Sequence, residues 1–150
     1  MNSDNSRIKF RAKESSWYRF AKMKCVDIAT AEGCTYGVFS ISISKGYSSG
    51  SGMSFFTNLL LYYKYGVSFA NSVVGSNGKI YIPSIRVVQK DKYVYLDLKY
   101  TINTDNPIIV FIENKVNVQN TNLSCIDIPY IVSESPEDEK IIGTLDLTKI

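Results

Sequence analysis

Four tyrosines with small polar neighbours are the residues of this chain best suited to chemistry. Tyr47, Tyr81, Tyr93 and Tyr95 fall at loops or on the outward side of strand patterns, with Ser48, Ser49, Asn77 and Asp91 near them. A tyrosine ring offers rigid, amphipathic contact area at low entropic cost, and the apolar face of a sugar packs on such a ring. The hydroxyls, the amide and the carboxylate add hydrogen bonds. These eight are the candidate ligand-binding residues. The competing reading of each tyrosine is an ordinary strand residue that caps a sheet edge.

Catalysis finds less to work with. Glycoside hydrolysis needs two carboxylates about 5–10 Å apart. Asp27, Glu32, Asp91, Asp97, Asp105 and Glu113 are available, but none sits in a recognisable motif and most fall in turns. The chain has no histidine. That removes the commonest general base, the commonest metal ligand and the Ser-His-Asp mechanism together. No G-x-S-x-G and no phosphate-binding glycine loop occurs. The acidic run ESPEDEK over residues 134–140 lacks the spacing and glycine of a calcium loop, so it reads as solvated charge. Cys25, Cys34 and Cys125 form neither a CxxC pair nor a zinc spacing. They read as three buried thiols, with a bridge between Cys25 and Cys34 as the oxidising alternative. The sequon at Asn122-Leu123-Ser124 means little without a secretory signal. The expectation is a binding protein, not an enzyme, with no cofactor and no metal.

The elements that position these residues read as strands. At 150 residues the chain has the length of one domain, by a prior of about 100–200 residues each. An apolar share of 45% supports a real core, and 13% aromatics lean towards β structure. The net charge of +3 does not call for nucleic acid. The start MNSDNS is polar, so the expectation is no secretory signal, with residues 1–6 as a disordered tail and 7–150 as one β-sandwich domain. No run approaches the ~20 apolar residues of a membrane span.

The stretch over 36–65 is central. Phe39, Ile41 and Ile43 alternate with Ser40, Ser42 and Ser44, the period of two that separates the faces of a strand. A glycine- and serine-rich link follows, then a second apolar run. Leu and Met there also suit a helix over 53–64, but flanking glycines and five aromatics favour a strand. Residues 7–13, RIKFRAK, form a strand with a basic outer face, suited either to nucleic-acid phosphates or to an edge that blocks aggregation; the edge is preferred. Residues 17–26 carry apolar residues on both faces, with Tyr18 and Phe20 opposed to Trp17, Ala21 and Met23. Short strands are expected over 67–74, 79–82 and 85–89, with a turn at Ser76-Asn77-Gly78 and a hairpin turn at Lys90-Asp91-Lys92. In the strand over 93–102, Val94, Leu96, Leu98 and Tyr100 face inward, and Tyr93, Tyr95, Asp97 and Lys99 outward. The run IIVFI over 108–112 is apolar on both faces, as in a strand buried twice. A strand broken at Pro129 and a last strand ending with Leu145 and Leu147 in phase complete the set. Trp17, Ile109 and Phe111 are the candidate oligomer contacts. Seven Lys or Arg over 7–24 and six Asp or Glu over 127–146 place the first and last strands side by side.

The order of these patterns resembles the C-terminal domains of bacteriophage fibre and appendage proteins. The family form begins W-Y-R-[IV]-A, and Trp17, Tyr18, Arg19 and Ala21 match it. Phe39, Ile41, Ile43, Lys45 and Tyr47 fit the second strand, Arg86, Val87 and Val88 the third, and Tyr95, Leu96, Asp97, Leu98 and Tyr100 the fourth. The resemblance covers most of residues 16–147. It implies an all-β, antiparallel, jelly-roll-like β-sandwich, usually a homotrimer at a fibre tip, in a virion assembled from proteins made in the bacterial cytoplasm. Such a domain attaches to a bacterial surface glycan or protein, beside other virion fibre proteins, with no nucleic-acid partner and no membrane insertion. The alternatives are a structural virion module without its own receptor and an unrecognised glycosidase. No ligand residues carry over, because the family shares none that are fixed.

Overall fold

The computed structural model describes residues 5–24, 37–45, 53–62, 66–75, 81–101, 107–117 and 122–150. Among them ten strands form two antiparallel five-stranded sheets packed as a β-sandwich. The strands are β1 (Asn5–Arg11), β2 (Ser16–Lys24), β3 (Gly37–Lys45), β4 (Met53–Tyr62), β5 (Gly66–Val74), β6 (Ser84–Lys90), β7 (Tyr93–Tyr100), β8 (Pro107–Asn117), β9 (Ser124–Val132) and β10 (Lys140–Asp146). Sheet I has the order β1-β8-β3-β4-β5, and sheet II the order β10-β6-β7-β2-β9. The pairs β1–β8 and β2–β7 nest in opposite sheets, as in a jelly roll. The β3–β4–β5 meander within one sheet departs from that pattern.

Alternation builds the core. Phe39, Ile41 and Ile43 of β3 face Val94, Leu96 and Leu98 of β7 within one cluster of buried side chains. Each such burial stabilises by about 1.5–3 kcal/mol. The run over 53–62 is a strand, with Phe55, Leu59 and Leu61 buried and Phe56, Leu60 and Tyr62 half-buried on its other side. The β6–β7 turn lies where its residues place it. Lys90 pairs with Tyr93, and Asp91 takes φ 53°, a left-handed value that Asp tolerates.

Six expectations need correction. Phe20 is a bulge in β2, since Arg19 pairs with Asp97 but Ala21 with Leu96. The extra residue switches the strand's parity, so Tyr18, Phe20, Ala21 and Met23 all reach the core. Pro129 does not break β9; it lies in the stretch between Cys125 and Tyr130 that bulges opposite Phe20, where no ladder N–H is needed. Asn5 and Ser6 belong to β1, not to a tail, and Ser6 Oγ accepts the Cys125 N–H at 2.8 Å. Tyr81 and Ile82 lie outside any strand, and Leu147 is buried at the start of a 3₁₀ turn rather than continuing β10. Finally, β1 and β10 lie on opposite sides of the sandwich. β1 closes against β9, and β10 against β5, where Gly143 packs on Val67 with no room for a Cβ. The expected turn at 76–78, and Cys25 and Cys34, lie outside the described residues; Cys125 is a free thiol.

Candidate functional site

The outer face of sheet II is built around Asp97. Antiparallel register sets Arg86 of β6 opposite it on one side and Arg19 of β2 on the other. Arg19 Nε donates to Asp97 Oδ1 at 2.8 Å and Nη2 to Oδ2 at 3.2 Å. Arg86 Nε donates to Oδ2 at 2.9 Å. The remaining guanidinium donors turn outward to one segment. Arg19 grips both oxygens of Glu139, at 2.8 and 3.0 Å. Arg86 donates to the carbonyls of Glu134 and Ser133, at 2.8 and 2.6 Å. Asp97 is 0% exposed, and both arginines are nearly as buried.

Topology explains why charges are buried on an outer face. β9 and β10 are opposite edges of sheet II, so residues 133–139 must cross its width. Four strand spacings of ~4.8 Å make ~19 Å. The eight steps from Val132 to Lys140 reach at most ~26–29 Å. The crossing is therefore a short strap held flat on the sheet, and the arginines are its clamps. The acidic run taken as solvated charge is this strap. Two arginines, Asp97 and Glu139 balance in charge, as burial requires.

The surroundings set the protonation states. Burial acts to lower the Arg19 pKa, but hydrogen bonds to Glu139 and Asp97 outweigh it and hold the guanidinium above its ordinary range. The bond from Arg19 holds Glu139 below its ordinary value, against the opposing effect of burial. Lys90 is raised by its hydrogen bond to Asp138. Burial raises the Tyr95 phenol, with Tyr130 adding to the shift.

Each arginine also stacks on a ring. Arg86 lies 4.2 Å from the Trp17 centroid, and Arg19 lies 4.4 Å from that of Tyr95. Trp17 is 9% exposed, so its second face is covered within the chain. Its buried Nε1–H has no acceptor among the described residues. Beside it a cleft of about 410 Å³ is lined by Ser15, Ser16, Lys99, Thr101 and Glu134, with Lys99 Nζ 3.4 Å from the Glu134 carboxylate.

Of the expected site residues, Tyr93 and Tyr95 come together, with centroids 5.9 Å apart and Lys22 Nζ 5.9 Å from the Tyr93 ring. Asp91 sits next to Tyr93 and shapes the turn. Tyr81 lies at the far end of β7; its carbonyl accepts from Thr101 N at 3.0 Å, and the residue packs against the core. Tyr47, Ser48, Ser49 and Asn77 lie outside the described residues. Ile109 and Phe111 are half-buried on the outer face of sheet I, opposite Ser44 and Ser42. Sequence reasoning missed Tyr130, which reaches the outer face of sheet II from β9 beside Arg19. It also missed the Arg86–Asp97 pair. That signal was present: a two-residue turn at 91–92 pairs 90 with 93, and therefore 86 with 97.

No family model and no curated protein matches the sequence. Among solved structures, the chain is similar to the crystal structure of the Acinetobacter phage vB_ApiP_P1 tailspike protein, at 14% identity and a TM-score of 0.47. The likeness covers 84% of this chain and 23% of that one, so the chain spans about a quarter of that protein's length.

Proposed function

We propose that the chain is a non-enzymatic attachment domain of a phage fibre or appendage, and that it binds a bacterial surface glycan on the outer face of sheet II. The observation that carries this reading is the grouping of Tyr93, Tyr95 and Tyr130 on that face, with Tyr93 and Tyr130 exposed and Lys22 beside them. Exposed rings next to cationic hydrogen-bond donors suit sugars, whose apolar faces stack while their hydroxyls pair. The clamped strap and the hairpin hold the rings in place, which lowers the ordering cost of binding. The resemblance of the strand motifs to phage appendage domains supports the same reading. Binding to a glycan array and to whole bacteria tests it. Loss of both on Tyr93→Ala, with unchanged melting, is the expected result; equal binding by that variant overturns it.

A structural virion module is the second reading, favoured by the apolar outer face of sheet I, where Ile109, Phe111 and Phe56 are half-buried and Val73 is exposed. In either case we propose a homotrimer packed through Ile109 and Phe111. Light scattering on a sizing column should give three times 16.9 kDa.

A further inference from the structure

Trp17 lines the cleft of about 410 Å³ at the Thr101 end of sheet II, and its Nε1–H is buried with no acceptor among the described residues. An indole N–H can only donate, and a buried donor left unpaired is costly. Register and stacking hold the ring where it is. Lys99 of β7 and Val132 of β9 pair with Trp17 on its two sides. The Arg86 guanidinium, committed to Asp97 and to the strap, lies 4.2 Å from the ring centroid.

The rim of the cleft is held as firmly. Ser15 Oγ donates to the Thr101 carbonyl at 2.7 Å, and Thr101 N donates to the Tyr81 carbonyl at 3.0 Å. The groups with freedom to move are Lys99 and Glu134. Their ammonium and carboxylate meet at 3.4 Å with 37% and 73% of the side chains exposed, a surface pair that contributes little and opens readily. A ligand entering beside them gains a donor from Lys99 and an acceptor from Glu134, and reaches the indole N–H as the pair parts.

The group that satisfies this donor is narrowly defined. A hydroxyl set on it carries its own O–H into the buried position and needs a further acceptor. A carbonyl oxygen accepts and brings no donor with it. Val132 and the indole offer apolar surface for a methyl beside that carbonyl. The Glu134 carboxylate accepts from an amide N–H or a ring hydroxyl. A sugar with an acetamido group carries this whole set in one small unit.

We infer that the cleft is a subsite for an N-acetylated sugar, whose acetamido carbonyl accepts from Trp17 Nε1–H while Lys99 and Glu134 pair with its other polar groups. The inference rests on the attachment reading and names the sugar class for it. It also adds a second point of contact, since Tyr93 and Lys99 share the outward row of β7 and lie ~20 Å apart.

Trp17 is the chain's single tryptophan, so its emission reports this cleft directly. N-acetylglucosamine and N-acetylgalactosamine differ from glucose and galactose at the acetamido group, and N-acetylalanine amide carries the same carbonyl on a peptide unit. Titration of the full chain with these five probes tests the inference. At least one N-acetylated sugar should shift the emission saturably, and its parent sugar should bind at least roughly tenfold less tightly, the range set by one unpaired buried donor. Glu134→Ala removes an exposed side chain and keeps the backbone carbonyl that holds Arg86. It should weaken that sugar several-fold with unchanged melting. Trp17→Phe, followed by calorimetry, keeps a ring without the donor and should erase the preference for the acetamido group. Should that variant fail to fold, the emission titrations and Glu134→Ala decide. Equal affinity for N-acetylated and parent sugars, an emission unmoved by all four, or binding indifferent to Glu134→Ala overturns the inference. Tighter binding of N-acetylalanine amide than of either N-acetylated sugar overturns it in favour of a peptide. Cell binding that still needs Tyr93 would then leave the attachment reading intact.

Discussion

Sheets I and II turn the same alternation outward and reach different ends. On sheet I the outward row of β3 is Ser40, Ser42 and Ser44, between Phe111 of β8 and Phe56 of β4. Among the described residues no segment crosses that row. Ser40 is satisfied sideways, by donating to Asn58 Oδ1 at 2.8 Å. On sheet II the corresponding row is Arg86, Asp97 and Arg19, and the strap over 133–139 makes it a second interior. Strand alternation says which side chains leave the core. The connections decide whether those side chains then meet water. A charge on an outer face is therefore structural when a connection must cross it. Tyr93 and Tyr130, on the same face of sheet II, stay exposed.

The sharpest way to break this contrast is at its centre. Asp97→Ala leaves two buried guanidinium groups without their shared carboxylate and should cost about 3–5 kcal/mol in urea unfolding. Ser42→Ala, at the matching place on sheet I, should stay within about 0.5 kcal/mol. Equal losses would mean that the strap does not make an interior. A smaller effect is expected at the strap's far clamp. Glu139→Gln should cost about 1.5–3 kcal/mol, the worth of charge-assisted hydrogen bonds. Because the folded state holds Glu139 below its ordinary value of 4.5, the unfolded chain binds the proton first. Stability from this group is complete above that value and is lost as pH falls through the lower folded value. The variant should flatten that part of the pH–stability profile; an unchanged slope there would remove Glu139 from the network. Tyr93→Ala and Tyr130→Ala should change stability by less than about 1 kcal/mol, since both rings are exposed. They should still abolish glycan binding. Smallest in stability, Ile109→Lys with Phe111→Lys should convert a trimer to single chains in light scattering while leaving glycan binding by each chain in place.

The sandwich was legible because β3 and β7 alternate cleanly and because Lys90-Asp91-Lys92 fixes one hairpin locally. The parity of β2 was not. Trp17, Tyr18, Phe20, Ala21 and Met23 are apolar at both parities, so nothing in the local pattern announces a bulge at Phe20. The charged interior was legible in part. The Arg86–Asp97 pair follows from the turn, but Arg19 lies 78 residues from Asp97 and 120 from Glu139. Those contacts are set by which edges β9 and β10 occupy, and no short window of sequence carries that. For the same reason the charge asymmetry between the chain's ends was real, yet it did not place them together. Its partner for the acidic strap was Arg19 of β2, with Lys90 and Lys99, not β1. Within the proposed binding surface, Tyr93 and Tyr95 were singled out from their outward phase. Tyr130 was not singled out, because the strand that carries it was read as broken at Pro129.

The claim that sheet II is the working face is tested most directly by one comparison on whole bacteria. Binding of the fluorescent domain would be measured for two variants of matched size, Tyr93→Ala with Tyr130→Ala on sheet II, and Phe56→Ala with Phe111→Ala on sheet I, each confirmed as folded by its melting curve. Loss of cell binding by the first pair alone is the predicted result. Retained binding by the first pair together with loss by the second would move the receptor site to sheet I and contradict the account.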